Sequence, residues 1–419
     1  MVGTRSPTRP GKTPNSPRTS PALASSDSSV TADHEGLTVN GQAPATRPPR
    51  RAIASLGAWR SEGAARWLFI WPTVLFILVL SLFPLVASLG LSLSKLAFRQ
   101  GGVDLKFVGL ANYQQLLVGL ERSHFLGVLK SPSPLGWAIV GGTILLTGYA
   151  WTRAVRSGRY GPFGLVLRLM AGLLLVGFVW LLVQALVSEG GRPGSLIVTM
   201  IFVFVGIGLQ YILGLGLALL ATQHVPGRRF FRIVFLIPLT ITPVGVGYMF
   251  LMLTDTSKGP LEPLWVALGL RNFTWVTDPW LARAAVIIGD TWQWTPFVFI
   301  VLLAALESLD QEVREAALAD GASRWQAFRH ITFPALLPVT TTIILIRLIE
   351  GFKIIDMPNI LLGGGPGTAT QSMTLQAWID WNTLNLGRSA AVAYLLLILV
   401  TVVATVYVNL VRRGVTEAA

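Results

Sequence analysis

The chain has 419 residues, 52% of them hydrophobic and only 13% charged, where a soluble domain carries about 25% charged residues. So much apolar surface excludes a single soluble core and predicts a protein of the lipid bilayer. The absence of cysteine excludes disulfides, thiolate metal sites and cysteine nucleophiles. The net charge of +13 sits in arginines beside apolar runs, where it reads as membrane anchoring rather than nucleic-acid binding.

Residues 1–60 are rich in Ser, Thr, Pro and Arg and lack both apolar periodicity and a signal-peptide core. They are expected to form a disordered cytoplasmic tail, with Arg47, Arg50, Arg51 and Arg60 near anionic headgroups. From Trp67 onward the chain predicts an all-α polytopic membrane protein with about eight spans: 68–93, 136–152, 163–187, 196–222, 233–254, 283–306, 335–355 and 390–411. Region 61–130 then holds the first span and an external loop, and 131–195 a helical pair. Region 196–411 holds the remaining spans, and 412–419 a second cytoplasmic tail.

Eight spans place both termini in the cytoplasm. Three inward-facing segments agree, through Arg153, Arg156 and Arg159, through Arg228, Arg229 and Arg232, and through Arg412 and Arg413. Loop 94–135 is the exception: it is expected outside, yet carries Lys95, Arg99, Lys106, Arg122 and Lys130. Pro238 and Pro243 predict a break or a kink within 233–254.

Two spans carry polar groups that fit a solute path. The run 283–306 contains Asp290, Trp292, Gln293 and Trp294; the next contains Arg347, Glu350, Phe352, Lys353, Asp356 and Asn359. Aromatic faces stack on sugar rings, and carboxylate and amide groups pair with hydroxyls. Charges at this depth face a wetted cavity or pair with one another. Arg347 with Glu350, and Lys353 with Asp356, are each spaced to pair along one helix. Trp292 and Trp294 lie about 200° apart around a helix, so at most one lines the path. No catalytic chemistry is legible. A GxxxxGK[ST] phosphate loop is absent, Gly363-Gly364-Gly365 reads as an external turn, and His34, His124, His224 and His330 lack zinc spacing.

The polar stretch from Ser308 to Pro338 interrupts the apolar pattern. Ser308 with Gln311 and Ser323 with Gln326 each read as a capping box, and Gly321 between them reads as a helix terminator. The order is helix, glycine turn, helix, then Pro334 and Pro338.

Within it, Glu315-Ala316-Ala317, Gly321, Ile331, Phe333 and Pro334 resemble the EAA loop of ABC-importer permeases: EAA, three residues, Gly, nine residues, Ile, one residue, Leu-Pro, with Phe333 in place of the leucine. Phe107-Val108-Gly109-Leu110-Ala111-Asn112-Tyr113, the Gly227–Arg232 turn with Pro238, and Leu362–Gly367 followed by Thr370 resemble further segments of carbohydrate-type permeases. The resemblance covers about 67–125 and 196–411 and is to the maltose and trehalose class, on the side of the larger maltose permease.

It implies a six-helix permease core, with 136–187 as two inserted helices, in the inner membrane of a bacterium. It also implies a second homologous permease, an external sugar-binding protein and a cytoplasmic ATPase dimer that binds ATP and Mg, with no cofactor or metal on this chain. Glu315, Ala316, Ala317, Asp320, Gly321, Ile331 and Pro334 would couple to the ATPase. The alternative is a stand-alone secondary transporter of small polar solutes, which would show internal repeats and would leave the loop unexplained.

Overall fold

The computed structural model describes Trp67 and residues 70–418, apart from 100–101, 159–160, 224–226 and 271–272. The expected tail 1–60 lies outside the described residues. The order begins with α1 (Ile70–Ser92), a hairpin of β1 (Ser94–Arg99) and β2 (Gly102–Phe107), α2 (Ala111–Leu117), α3 (Arg122–Phe125) and β3 (Gly127–Val128). Next come α4 (Pro134–Arg156), α5 (Pro162–Leu186), β4 (Arg192–Pro193), α6 (Ser195–Ala221), α7 (Arg228–Thr240), α8 (Pro243–Thr254) and α9 (Glu262–Ala267). The chain closes with α10 (Pro279–Glu307), α11 (Gln311–Ala319), α12 (Arg324–Gly351), α13 (Asp356–Leu362), α14 (Met373–Asn382) and α15 (Leu386–Ala418).

Among the described residues, six helices are long and apolar enough to cross a bilayer: α1, α5, α6, α10, α12 and α15. The pair α7–α8 makes a seventh if counted as one span, bent by 100°. The expected span 136–152 does fold as a helix, α4, but falls short in apolarity: Gly141, Gly142, Thr143, Thr147 and Gly148 dilute it. By length and apolarity the described residues thus give six spans, or seven with the bent pair, and α4 is a further helix of spanning length, 23 residues.

Local chemistry explains where the helices start. Ser133, Thr242 and Asp278 each cap a helix, accepting from a backbone N–H of its first turn, and each is followed by proline at the first helical position. Proline also widens helices from within. π-Turns at Leu78–Leu82 and Phe328–Thr332 lie just before Pro84 and Pro334. Each ring lacks an N–H and presses on the carbonyl four residues back.

The core sits on α6 and α10, with 50% and 56% of their apolar windows buried against none of α1. Their backbones come close because Gly214 has no side chain: a Cβ there would stand 2.7 Å from Val298 Cγ1. Ala218, Val298, Phe299, Leu302, Leu303 and Ile343 bury one end of this packing, and Val198, Phe202, Val286 and Met357 the other.

Helices α4 and α5 form an excursion whose two ends meet. Strand β3 pairs antiparallel with β4, Gly127 opposite Pro193 and Val128 opposite Arg192. The ladder needs its glycines: Gly127 has φ +108°, and a Cβ on it would lie 2.3 Å from the Arg192 carbonyl. Trp137 and Trp180 meet edge to face near the base of the pair, and Phe178 packs against the buried cluster of Met200, Val203, Ile207, Leu348 and Phe352.

Candidate functional site

The polar interruption folds as helix α11, a tight turn and the start of α12. Ala322 N–H donates to Ala317 O (3.0 Å) and Gly321 N–H to Leu318 O (3.1 Å), the paired bonds of a Schellman termination. That geometry requires a left-handed residue, and Gly321 supplies it with φ +91°. Ser323 then accepts from Gln326 N–H while the Gln326 side chain accepts from Ser323 N–H, the reciprocal box expected from the sequence.

The first expected box does not form. α10 runs on to Glu307, so Ser308 is its helical C-cap and turns its hydroxyl to Ala305 O (2.8 Å); Asp310 caps α11 instead, accepting from Glu312 N–H (2.9 Å). Glu315, Ala316, Asp320, Gly321 and Pro334 are exposed, and Ala317 and Ile331 half-buried. Val313, Leu318 and Trp325 stand exposed beside them, Trp325 stacking on Phe328 at 5.6 Å. α12 continues without a chain break from this turn into the bundle.

Deep in that bundle α12 presents Arg347, 1% exposed. Its Nε donates to Gln210 Oε1 (2.8 Å), and a terminal nitrogen donates to Asp290 Oδ2 (3.3 Å). Gln210 Nε2 donates to the same Oδ2 (2.8 Å), and the guanidinium lies 4.1 Å from the centre of the Trp294 ring. Three helices, α6, α10 and α12, are thereby tied at one point. A guanidinium in an apolar surround needs both charge and hydrogen-bond partners, and here it has them.

This corrects the pairing expected along a single helix. The hydrogen-bonded partner of Arg347 is Asp290, not Glu350. Glu350 instead accepts from Lys353 Nζ (2.8 Å), both partly exposed, and Asp356 opens α13. The reason is that α12 ends at Gly351, so helical spacing does not carry from Lys353 to Asp356. Gln210 was missed altogether; its signal was an amide within an otherwise apolar run.

The other expected path residues separate by environment. Trp292 is exposed on α10 and meets Phe250 of α8 edge to face at 5.8 Å, while Trp294 turns inward under Arg347. Phe352 is wholly buried among α6 and α15 residues, whereas Asn359 and Asp356 are half-buried on α13. Gln293 has a distinct place. The 100° bend between α7 and α8 frees the carbonyl of Ile241, and Gln293 Nε2 donates to it at 3.4 Å. A broken helix in a bilayer needs such a donor. The bend follows from Pro238 and from Pro243, which starts α8 behind the Thr242 cap.

A second charged cluster gathers around the first turn of α15. Arg388 bonds Asp380 Oδ1 and Glu121 Oε1, and His124 Nδ1 lies 3.2 Å from Glu121 Oε2. Asp380 is 3% exposed, and its Oδ2 has no hydrogen-bond partner among the described residues. Burial pushes its carboxyl up from the ordinary range, against the pull of Arg388.

Residues 210–416 match the family described as binding-protein-dependent transport system inner membrane component. The trehalose/maltose transport system permease MalF of Thermococcus litoralis is 35% identical over 218 residues, which span 52% of this chain and 74% of that protein. The sulfoquinovosyl glycerol transport permease SmoG of Agrobacterium fabrum is 32% identical over 203 residues, 48% of this chain and 65% of that one. In fold the chain is similar to a bacterial ABC transporter involved in alginate import, with a TM-score of 0.54, 19% identity, and coverage of 85% of this chain and 98% of that one. The chain thus belongs to the family of binding-protein-dependent transport system inner membrane components, the permeases of ABC transporters.

Proposed function

We propose that this chain is the permease of an ATP-driven importer for a sugar or oligosaccharide, forming the translocation path with a second homologous permease. Glu315, Ala316, Ala317, Asp320, Gly321, Ile331 and Pro334 dock on a cytoplasmic ATPase dimer, which holds the ATP and Mg. An external binding protein delivers the sugar, the chain lies in the cytoplasmic membrane, and both termini are cytoplasmic. The core consists of 61–130 and 196–411, with 131–195 inserted.

One observation carries the coupling role: an exposed, glycine-terminated turn leads directly into the same helix that carries Arg347. A push on the turn is therefore transmitted along α12 as along a rod. The named substrates of the relatives, trehalose and maltose among them, support a carbohydrate cargo. Within the path, Trp292 offers an exposed aromatic face for a pyranose ring, and Glu350, Lys353, Asp356 and Asn359 offer partners for hydroxyls. Gln293, Trp294 and Phe352 support that wall from behind.

Copurification from membranes, followed by uptake of a panel of labelled sugars into vesicles, tests the reading. An ATPase should accompany the chain, and at least one sugar should enter only with ATP inside. Uptake by the chain alone, driven by an ion gradient, would instead establish a secondary transporter.

A further inference from the structure

The basic loop that departs from the charge rule has a defined shape. β1 and β2 form an antiparallel hairpin with Ser94 opposite Phe107, Lys95 opposite Lys106 and Leu96 opposite Leu105. Directly opposed residues share a side, and neighbours along a strand alternate. Lys95 and Lys106 therefore stand together on one side, and Leu96, Leu105 and Phe107 on the other. Both lysines are exposed, and neither has an ion-pair partner among the described residues. Asp104 shares their side and is itself engaged. Like charges set opposite each other across a ladder are unfavourable unless an anion lies between them.

The apolar side is uncovered too: Leu105 is 56% exposed and Phe107 72%, with Leu110 close behind at 62%. The depth of this base in the membrane is set twice. α1 ends at Ser92, and Asn112 Nδ2 donates to both Ser92 O (2.8 Å) and Ser94 O (3.0 Å), holding the hairpin to the end of the span. Tyr113 Oη donates to Ser92 Oγ (2.9 Å), adding a third tie. Independently, α15 begins its own span here, and a Cβ on Gly387 would lie 2.1 Å from Ser94 O. Two span ends thus meet the hairpin base, so its lysines lie at the level of the lipid headgroups and its apolar side chains at the acyl boundary.

We propose that the base of the β1–β2 hairpin is a docking surface for anionic phospholipid, the headgroup phosphate bridging Lys95 and Lys106 while Leu105, Phe107 and Leu110 enter the interface. The lysine stems reach the headgroup plane, and the apolar side chains settle at the acyl boundary. The surface depends on neither the cargo nor the ATPase.

The absence of cysteine makes a site-specific test direct. The full-length chain carrying Leu110→Cys is labelled with an environment-sensitive fluorophore and reconstituted with brominated phosphatidylglycerol or brominated phosphatidylcholine. Quenching should favour the anionic lipid by roughly thirtyfold in apparent affinity, from two lysines at a headgroup plane. Lys95→Gln with Lys106→Gln should remove that preference, and Lys95→Glu with Lys106→Glu should reverse it, each with an unchanged thermal transition. Equal quenching by the two lipids would overturn the proposal, as would a preference that survives both double variants. Protection from both lipids would mean that a protein surface, not lipid, covers this base, and would overturn the proposal. Loss of the preference on adding inorganic phosphate would mean a soluble-phosphate site, and would overturn it equally.

Discussion

Arg347 of α12 donates to Oδ2 of Asp290 of α10 across 3.3 Å, while Gln210 of α6 donates to the same oxygen. One carboxylate oxygen therefore holds three helices in register. Arg347→Met leaves Asp290 buried without its cation and should destabilise the protein by about 3–5 kcal/mol. Arg347→Met combined with Asp290→Leu removes both charges and should recover much of that loss. Thermal unfolding in detergent decides. A double variant as unstable as the sum of the singles would mean that the two charges do not act as a pair.

Gly321 at φ +91° closes the exposed turn. Gly321→Val places a β-branched residue in the left-handed region, at a cost of at least about 1–2 kcal/mol. The second helix should then start at the wrong angle. Membrane insertion should persist while ATPase recovery in a pull-down falls. Ala317→Trp and Glu315→Lys should do the same by bulk and by charge. If all three variants bound ATPase normally, the turn would not be the coupling element.

Trp292 on α10 and Glu350 on α12 are both partly exposed, Trp292 touching Phe250 of α8 and Glu350 pairing with Lys353. Replacing either by alanine should lower sugar uptake per assembled complex; Glu350→Ala should leave the unfolding temperature within a degree or two of the parent, and Trp292→Ala should lose only the roughly 0.5–1.5 kcal/mol of its contact with Phe250. Lower stability with unchanged uptake per complex would place them in packing instead.

Strands β3 and β4 bring the two ends of the 129–191 excursion together. Excising it and rejoining the flanks through a short Gly-Ser linker should leave a core that inserts and still recovers ATPase. Losing Phe178 exposes only apolar residues, which lipid solvates nearly as well. Failure of the excised chain to recover ATPase would make α4 and α5 part of the core.

Asp380 has a raised carboxyl pKa, chiefly from burial. The folded state then takes up its proton more readily than the unfolded chain, so the ionised group becomes costlier as pH rises from about 3.8 through the raised value. On acidification through that window the parent should gain stability relative to Asp380→Asn, whose side chain does not titrate. Arg388, Glu121 and His124 belong to the same cluster and are present in both proteins. A relative loss of stability on acidification would reverse the assignment.

Composition, apolar run length and local capping signals were enough to read the class, most of the spans and the glycine-terminated turn before α12. Those features depend on residues close in sequence: hydropathy over about 20 positions, a capping pair three apart, a glycine after a helix. The bend between α7 and α8 was likewise legible in Pro238 and Pro243, because proline acts on its own turn. Tertiary structure alone decided which charges meet. Spacing along α12 favoured Glu350 for Arg347, yet the guanidinium turned to Asp290 and Gln210, which lie 57 and 137 residues away. A buried ion is stabilised by whichever partner shares its apolar surround, and only packing brings that partner there. The same holds for Gln293 and the Ile241 carbonyl, and for the pairing of β3 with β4 that joins the two ends of the excursion.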